Sequence, residues 1–239
     1  MKSMNRNDVW KDIWIKKGVD KNDPLHYANG YDLLSVNEFD SLVLEVTRPI
    51  GLNGNEHILE SGCGAGAFLA SLLKIHPGLK VSGLDYSPTL LERARTSLKG
   101  EFFVADMTDL GFLESDTFEH TLSFGAILYL SSQEAASKAI AEMLRVTKPG
   151  GVVYIGEVPD AAKLDQAENI RRISHQSVKK VSVENPDHLY LPKEFFENIA
   201  QTNSLNLKII DHTDFDLGHY QAARYRYSVY LTKKREKPY

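Results

Sequence analysis

One cysteine, Cys63, stands in 239 residues. It excludes an internal disulfide and any zinc site built on paired cysteines, and it suits a reducing compartment. Positive charge is not in excess either, because 28 Lys and Arg face 32 Asp and Glu, for a net charge of −4. That balance offers no basic field to DNA, RNA or anionic lipid. The basic cluster Lys233-Lys234-Arg235-Glu236-Lys237 reads as a solvated chain end. Long apolar runs are missing: those at 69–73 and 127–130 are far too short to span a bilayer. The N-terminus lacks the apolar core of an export signal, since Lys2, Arg6, Lys11, Lys16 and Lys17 are mixed with Asp8 and Asp12. Internal repeats and low-complexity tracts are also absent. These absences predict a soluble, cytoplasmic protein with no membrane or nucleic-acid partner. The partners expected are a small-molecule substrate and, as an open option, a second copy in a homodimer. No metal is expected.

What is present is a globular mix, with 42% hydrophobic residues, ample for one buried core. Val9, Trp10, Ile13, Trp14 and Ile15 space like an amphipathic helix over residues 1–18, with Trp10 and Trp14 as packing residues. Asp23-Pro24 and Asn29-Gly30 mark a loop, and Phe39, Leu42, Val43 and Val46 share one face of a helix over 37–48. Strands are then expected at 58–59, 80–84, 102–104, 121–124 and 152–155. Helices between them run over 65–75, 88–98 and 132–146, and Pro149-Gly150-Gly151 turns into the fifth strand. The alternation breaks after Val158. A polar helix over 161–181, a turn at Asn185-Pro186-Asp187 and a helix over 192–201 precede two closing strands, 205–211 and 224–231. The second of these alternates Tyr225, Tyr227, Val229 and Leu231 against Arg224, Arg226 and Ser228, as an antiparallel hairpin edge would. The expected fold is α/β: a doubly wound, mostly parallel seven-stranded sheet with an antiparallel last strand, N-terminal helices and an inserted cap before the sixth strand. Residues 1–54 would form the N-terminal helices and lid, 55–239 the ligand-binding domain, and 159–191 the substrate cover.

The sharpest signal is Glu60-Ser61-Gly62-Cys63-Gly64-Ala65-Gly66, where a strand feeds a glycine turn and then a helix. Glycines there let the backbone approach a ligand where a Cβ would collide. Gly62-x-Gly64-x-x-Ala67 also satisfies a relaxed dinucleotide fingerprint, so the glycines alone leave NAD open. Three further landmarks follow in order. They are Asp85 at the end of Gly83-Leu84-Asp85-Tyr86-Ser87, Ala105-Asp106-Met107 after the third strand, and Leu144-Arg145-Val146-Thr147-Lys148-Pro149-Gly150-Gly151 before the fifth.

In these four landmarks and their spacing, residues 55–231 resemble the class I S-adenosylmethionine (SAM)-dependent methyltransferase family. The resemblance implies SAM as cofactor and methyl transfer as the reaction. Glu60 matches the family's first acid and Gly62, Cys63, Gly64 and Gly66 its glycine turn. Asp85 would accept the ribose hydroxyls, with Tyr86 laid against adenine, and Asp106 would take the adenine amino group, with Met107 packed on the ring. An acid at Glu60 suits a ligand that carries an ammonium and a sulfonium, and would repel a pyrophosphate. Phe124, Gly125 and Ala126 match the fourth motif, without the Asn/Asp-Pro-Pro-Tyr/Phe string of the amide-methylating branch. Tyr27 and Tyr31, beside His26, would cover the cofactor from the N-terminal segment.

Candidate bases are Glu157 at the end of the fifth strand, His188 and His26, with Asp160 and His219-Tyr220 also near the rim. Arg171-Arg172 would either clamp an acidic substrate or lie on a solvated helix face. Cys63 reads as a small filler rather than a nucleophile. The leading expectation is O-methylation of a sugar or hydroxylated metabolite. Alternatives are N- or S-methylation of a small metabolite, an NAD-binding oxidoreductase and a non-catalytic partner subunit.

Overall fold

The computed structural model describes residues 6–19, 22–177, 188–218 and 220–235. Three helices come first: α1 (Arg6–Lys17), the short α2 (Leu25–Ala28) and α3 (Val36–Thr47). Ser35 caps α3 in a capping box with Glu38, and the apolar face of α3 buries Phe39, Leu42, Val43 and Val46. The alternating part follows as β1 (His57–Ser61), α4 (Ala67–Ile75), β2 (Lys80–Asp85), α5 (Pro88–Ser97), β3 (Glu101–Val104), β4 (Phe118–Phe124), α6 (Gln133–Val146) and β5 (Thr147–Pro159). Ser87 and Ser132 cap α5 and α6, as their place before each apolar pattern predicts. The chain closes with α7 (Leu164–Ser177), α8 (Lys193–Thr202), β6 (Asn206–Asp211) and β7 (Arg226–Thr232).

The strands order as β3-β2-β1-β4-β5-β7-β6, parallel except for β7, which runs antiparallel to both its neighbours. Separate cores lie on the two faces. One includes Val43, Ile58, Phe68 and Tyr154 under α3 and α4; the other includes Ile140, Val153, Phe196 and Val229 under α6 and α8. The expected seven-stranded doubly wound sheet is thus the observed one. Among the described residues no helix is long and apolar enough to cross a membrane.

Two expectations change. The last strand is not the sheet edge: β7 inserts between β5 and β6, and β6 is the edge. Burial explains it. The five central residues of β7 are buried, whereas β6 is half-exposed. Pro149-Gly150-Gly151 lies within a longer β5 rather than in a turn before it, with Gly150 at φ 86°. Lys233 does not trail in solvent either, since its Nζ lies 2.7 Å from Asp116 and 3.1 Å from the Leu144 carbonyl. The Asn185-Pro186-Asp187 turn, the end of the polar helix at 178–181, His219 and residues 236–239 lie outside the described residues.

The chain winds from β1 outward to β3, then returns to β4 on the other side of β1. The switch point between β1 and β4 opens a crevice at the carboxyl ends of the strands, where such sheets bind ligands. The N-terminal helices are tied to this body by polar links as well as packing. Tyr230 Oη on β7 donates 2.7 Å to the Val46 carbonyl in α3, and both residues are buried. Tyr230→Phe is expected to cost about 1–3 kcal/mol of unfolding free energy, because it leaves that carbonyl unsatisfied. Urea denaturation of the two proteins measures it, and an unchanged midpoint would remove the tie from the account.

Candidate active site

The crevice is built on the turn after β1. Gly62, Gly64 and Gly66 all have positive φ, at 81°, 54° and 80°. At Gly62 a Cβ would run into Ala126, and at Gly64 it would stand 2.7 Å from Asn29 Oδ1. Only glycine meets both conditions. Leu84, at the end of β2, accepts from the amides of Gly62 (2.8 Å) and Cys63 (2.9 Å). Asp85 then holds the turn with its side chain: Oδ2 accepts from Gly64 N (2.9 Å) and Oδ1 from Ser87 N (2.8 Å).

Asn29 completes the clamp, its Oδ1 accepting from Ala65 N (2.8 Å) and its Nδ2 donating to the Cys63 carbonyl (3.1 Å). The sequence reading had Asn29 as half of a turn dipeptide only. The missed signal is that an Asn side chain carries a donor and an acceptor and can replace a backbone partner. Cys63 is fully buried, and a Cβ on Gly83 would come within 2.6 Å of its Sγ, so it fills space. Burial, and then Glu60 and Asp85, push its thiol well up, which removes the thiolate a nucleophile needs.

The cleft that opens over this turn is lined by Gly62, Gly64, Asp85, Tyr86, Asp106, Met107, Phe124, Gly125 and Ala126. Its outer wall is Trp10, Lys11 and Trp14 of α1, Asn29, and Tyr129 and Leu130 beyond β4. Trp10 and Trp14 therefore do more than pack the core. Tyr129 meets both indoles edge-on, with ring centroids 4.5 and 5.1 Å apart. Asp106 Oδ1 accepts from Thr108 N and Oγ1, an Asx turn that fixes the carboxylate at the rim. Tyr86 Oη lies 3.4 Å from the Trp10 carbonyl, so α1 rests on the same ring that lines the cleft.

Glu60 lies beneath the turn at 1% exposure, and neither of its carboxylate oxygens has a hydrogen-bond partner among the described residues. Burial, and then Asp85, push it well above the ordinary carboxyl range. Burial also raises Asp85 from 3.8 to about 6, against the opposing pull of the Ser87, Gly64 and Tyr86 amides. Two buried acids side by side, one with no donor, form a site for a cation-bearing ligand with hydroxyls to donate. SAM is a ligand of that kind, since it carries an ammonium and ribose hydroxyls.

The remaining predicted residues divide. Tyr31 packs against Phe124 (5.5 Å, stacked), and a Cβ on Gly125 would strike its hydroxyl, so it backs two lining residues without lining the cleft itself. Tyr27 and His26 do not line the cleft. His26 is buried with Nε2 2.9 Å from the Leu34 carbonyl and its ring stacked on Phe39, a brace for the N-terminal segment. His188 does not line the cleft either, but packs on two residues of its outer wall, stacked on Trp10 (5.4 Å) and edge-on to Tyr129 (5.4 Å).

Glu157 is fully buried at φ 65°, where the β5–β7 register shifts between Ile155 and Val158. Its Oε2 accepts from Arg226 Nη1 and Tyr220 Oη, and its Oε1 lies 3.1 Å from His212 Nδ1. The left-handed backbone at the shift re-aims a strand-end side chain. The structure thus does not bring Glu157, His188 and His26 together. Burial holds His212 down near 3, so it faces Glu157 as a neutral ring. Asp160, another rim acid, caps Ala162 N (2.9 Å).

Comparison with known proteins concerns the strands and helices that carry this cleft. Residues 58–151 match the family described as "Methyltransferase domain". A demethylmenaquinone methyltransferase of Clavibacter sepedonicus is 37% identical over 139 residues, 54% of this chain and 54% of that protein. A tRNA (carboxymethyluridine(34)-5-O)-methyltransferase of Arabidopsis thaliana is 36% identical over 99 residues, 41% of this chain and 23% of that one. The chain spans about half the length or less of the curated relatives it matches. Over nearly full length the fold resembles a methyltransferase solved in complex with the Haloferax volcanii Trm112 activator. There the TM-score is 0.62 and the identity 18%, with 97% of this chain and 99% of that one covered.

The buried acids give a test of their own. A carboxyl whose folded pKa exceeds its unfolded value binds its proton more tightly in the native state. The ligand-free protein therefore loses stability as pH rises through the interval between the two values. For Asp85 that interval is 3.8 to about 6, and for Glu60 it begins near 4.5. Glu60→Gln removes the second contribution, so the ligand-free variant should be more stable than wild type at pH 8, with the advantage fading near pH 4. Urea unfolding across that range measures it. Parallel curves would show that Glu60 is paired.

Proposed function

We propose that this chain binds SAM in the cleft over the glycine turn and transfers its methyl group to a hydroxyl of a small metabolite, a class that includes sugars. The observation that carries the first half is Glu60: a carboxylate buried without a partner beside a ribose-competent acid calls for a cationic nucleoside. A dinucleotide would bring a pyrophosphate to that acid instead. When bound, SAM supplies the methyl group and leaves as the neutral thioether.

The chain's own residues position, enclose and exclude water. Glu60 balances the ammonium, Asp85 accepts from the ribose, and Asp106 and Met107 hold the adenine. Gly125 and Ala126, without side-chain bulk, leave the methyl a clear path, while α1 and Tyr129 close the cleft from outside. Residues 6–35 act as the lid. The acceptor enters on the β4–β5 side, past the packed rings of Tyr129 and His188. The cytoplasm is the expected compartment, where a fully buried Cys63 stays reduced.

With Glu157 engaged by Arg226 and Tyr220, His188 is the base this reading favours for the hydroxyl proton. A nucleic-acid acceptor is the second reading, since four relatives are named as tRNA methyltransferases. The acidic balance of this chain favours the small molecule.

Two outcomes are expected. SAM and its demethylated product should raise the melting temperature and slow hydrogen exchange over residues 22–35, and NAD should do neither. Asp85→Ala should abolish most of that shift, and a folded variant with unchanged SAM affinity would refute the ribose assignment. Once an acceptor is found, His188→Ala should lower turnover by about two to four decades while SAM still binds, and Glu157→Gln should not. Normal turnover in His188→Ala would mean that the nucleophile arrives already deprotonated.

A further inference from the structure

The Arg171-Arg172 pair, ambiguous in the sequence, is resolved by α7. Arg172 is exposed and donates 2.9 Å to Asn169 Oδ1. Arg171, one residue earlier, is half-buried and acts on Tyr129 and Tyr225. Arg226 meets the same rings from β7: its guanidinium carbon lies 5.4 Å from the Tyr225 ring centre, and its charge reaches Tyr129. Burial lifts the Tyr129 phenol to about 12 against the pull of Arg226 and then Arg171. Among the described residues those two cations are the charged groups acting on it. The nearby carboxylate, Glu157, is fully buried, whereas the Arg226 side chain keeps 12% exposure.

Two buried donors here have no hydrogen-bond partner among the described residues, Arg226 Nε and Tyr190 Oη. Tyr190 also acts on Tyr225, so both donors belong to one neighbourhood, which Tyr129 joins to the cleft. A buried donor left unmade is costly, and donors of this kind are matched by an anion.

We propose that Arg171, Arg226 and Tyr190 form an anion subsite for the methyl acceptor, so that the acceptor is a small molecule bearing a carboxylate or phosphate. This rests on the methyltransferase reading of the cleft, and the assay keeps the two apart. Binding of the demethylated cofactor product is measured first, by calorimetry; its failure would sink the cofactor reading. To the protein saturated with that product, four probes are added at up to millimolar concentration: benzoate, phenyl phosphate, benzamide and benzylamine. At least one anion should bind about tenfold or more tightly than the neutral amide, and the amine should bind least. The better of the two anions identifies which acid group the subsite takes.

Arg171→Gln should remove most of the preference for the anion without changing affinity for the cofactor product. Because Arg226→Gln alone would strand a buried carboxylate, the double variant Glu157→Gln/Arg226→Gln is the second probe, and it should also lose the preference. Equal binding of amide and anions, binding of neither anion, or a preference that survives both variants would overturn the subsite.

Discussion

Everything at this site depends on how the end of β2 grips the turn after β1. Leu84 and Asp85 between them take the amides of Gly62, Cys63 and Gly64, and this fixes a backbone that only glycine can follow. Asp85 does two tasks with one carboxylate. Each oxygen has a further lone pair beyond the amide it accepts, so the group that shapes the turn can also face a ligand. The cost is burial, which lifts its pKa toward 6 even with the amides bonded to it. Asn29 applies the same grip from the other side, and so couples the N-terminal helices to the cofactor end of the sheet.

The sheet and the glycine turn were legible because local rules and tertiary needs agree there. Strand, glycine turn and helix each leave a pattern in sequence, and Glu60 and Asp85 stand among the last residues of their strands, where direction is fixed by register. Legibility failed where a side chain's role depends on distant partners. Glu157 stands near the end of β5 and so looked like a group facing the cleft. Nothing local announced the register shift, nor Arg226 and Tyr220, which come 69 and 63 residues later and claim its carboxylate. Likewise β7 read as an edge because it comes last, although its apolar alternation fits a central strand equally well. His26 was chosen for its chemistry, but a ring packed on Phe39 with one nitrogen at the Leu34 carbonyl is structural.

Acids gather at the cofactor end, with Asp85 and Asp106 in the lining and Glu60 buried beside Asp85, whereas Arg171 and Arg226 lie outside the lining, Arg226 paired with Glu157. On the proposed reading this sorting separates binding from catalysis. The ammonium and ribose are the same in the cofactor and in its demethylated product, so what Glu60 and Asp85 contribute is uniform along the reaction and cannot by itself raise turnover. Acceleration has to come from groups that sense the change: the methyl leaving a sulfonium that becomes neutral, and the acceptor's nucleophile giving up its lone pair. Those groups lie where α1, Tyr129 and His188 meet, on the half of the site that sequence resolved least. On that reading substrate choice and rate enhancement fall to these outer walls, and the glycine turn supplies the platform that holds the cofactor against them.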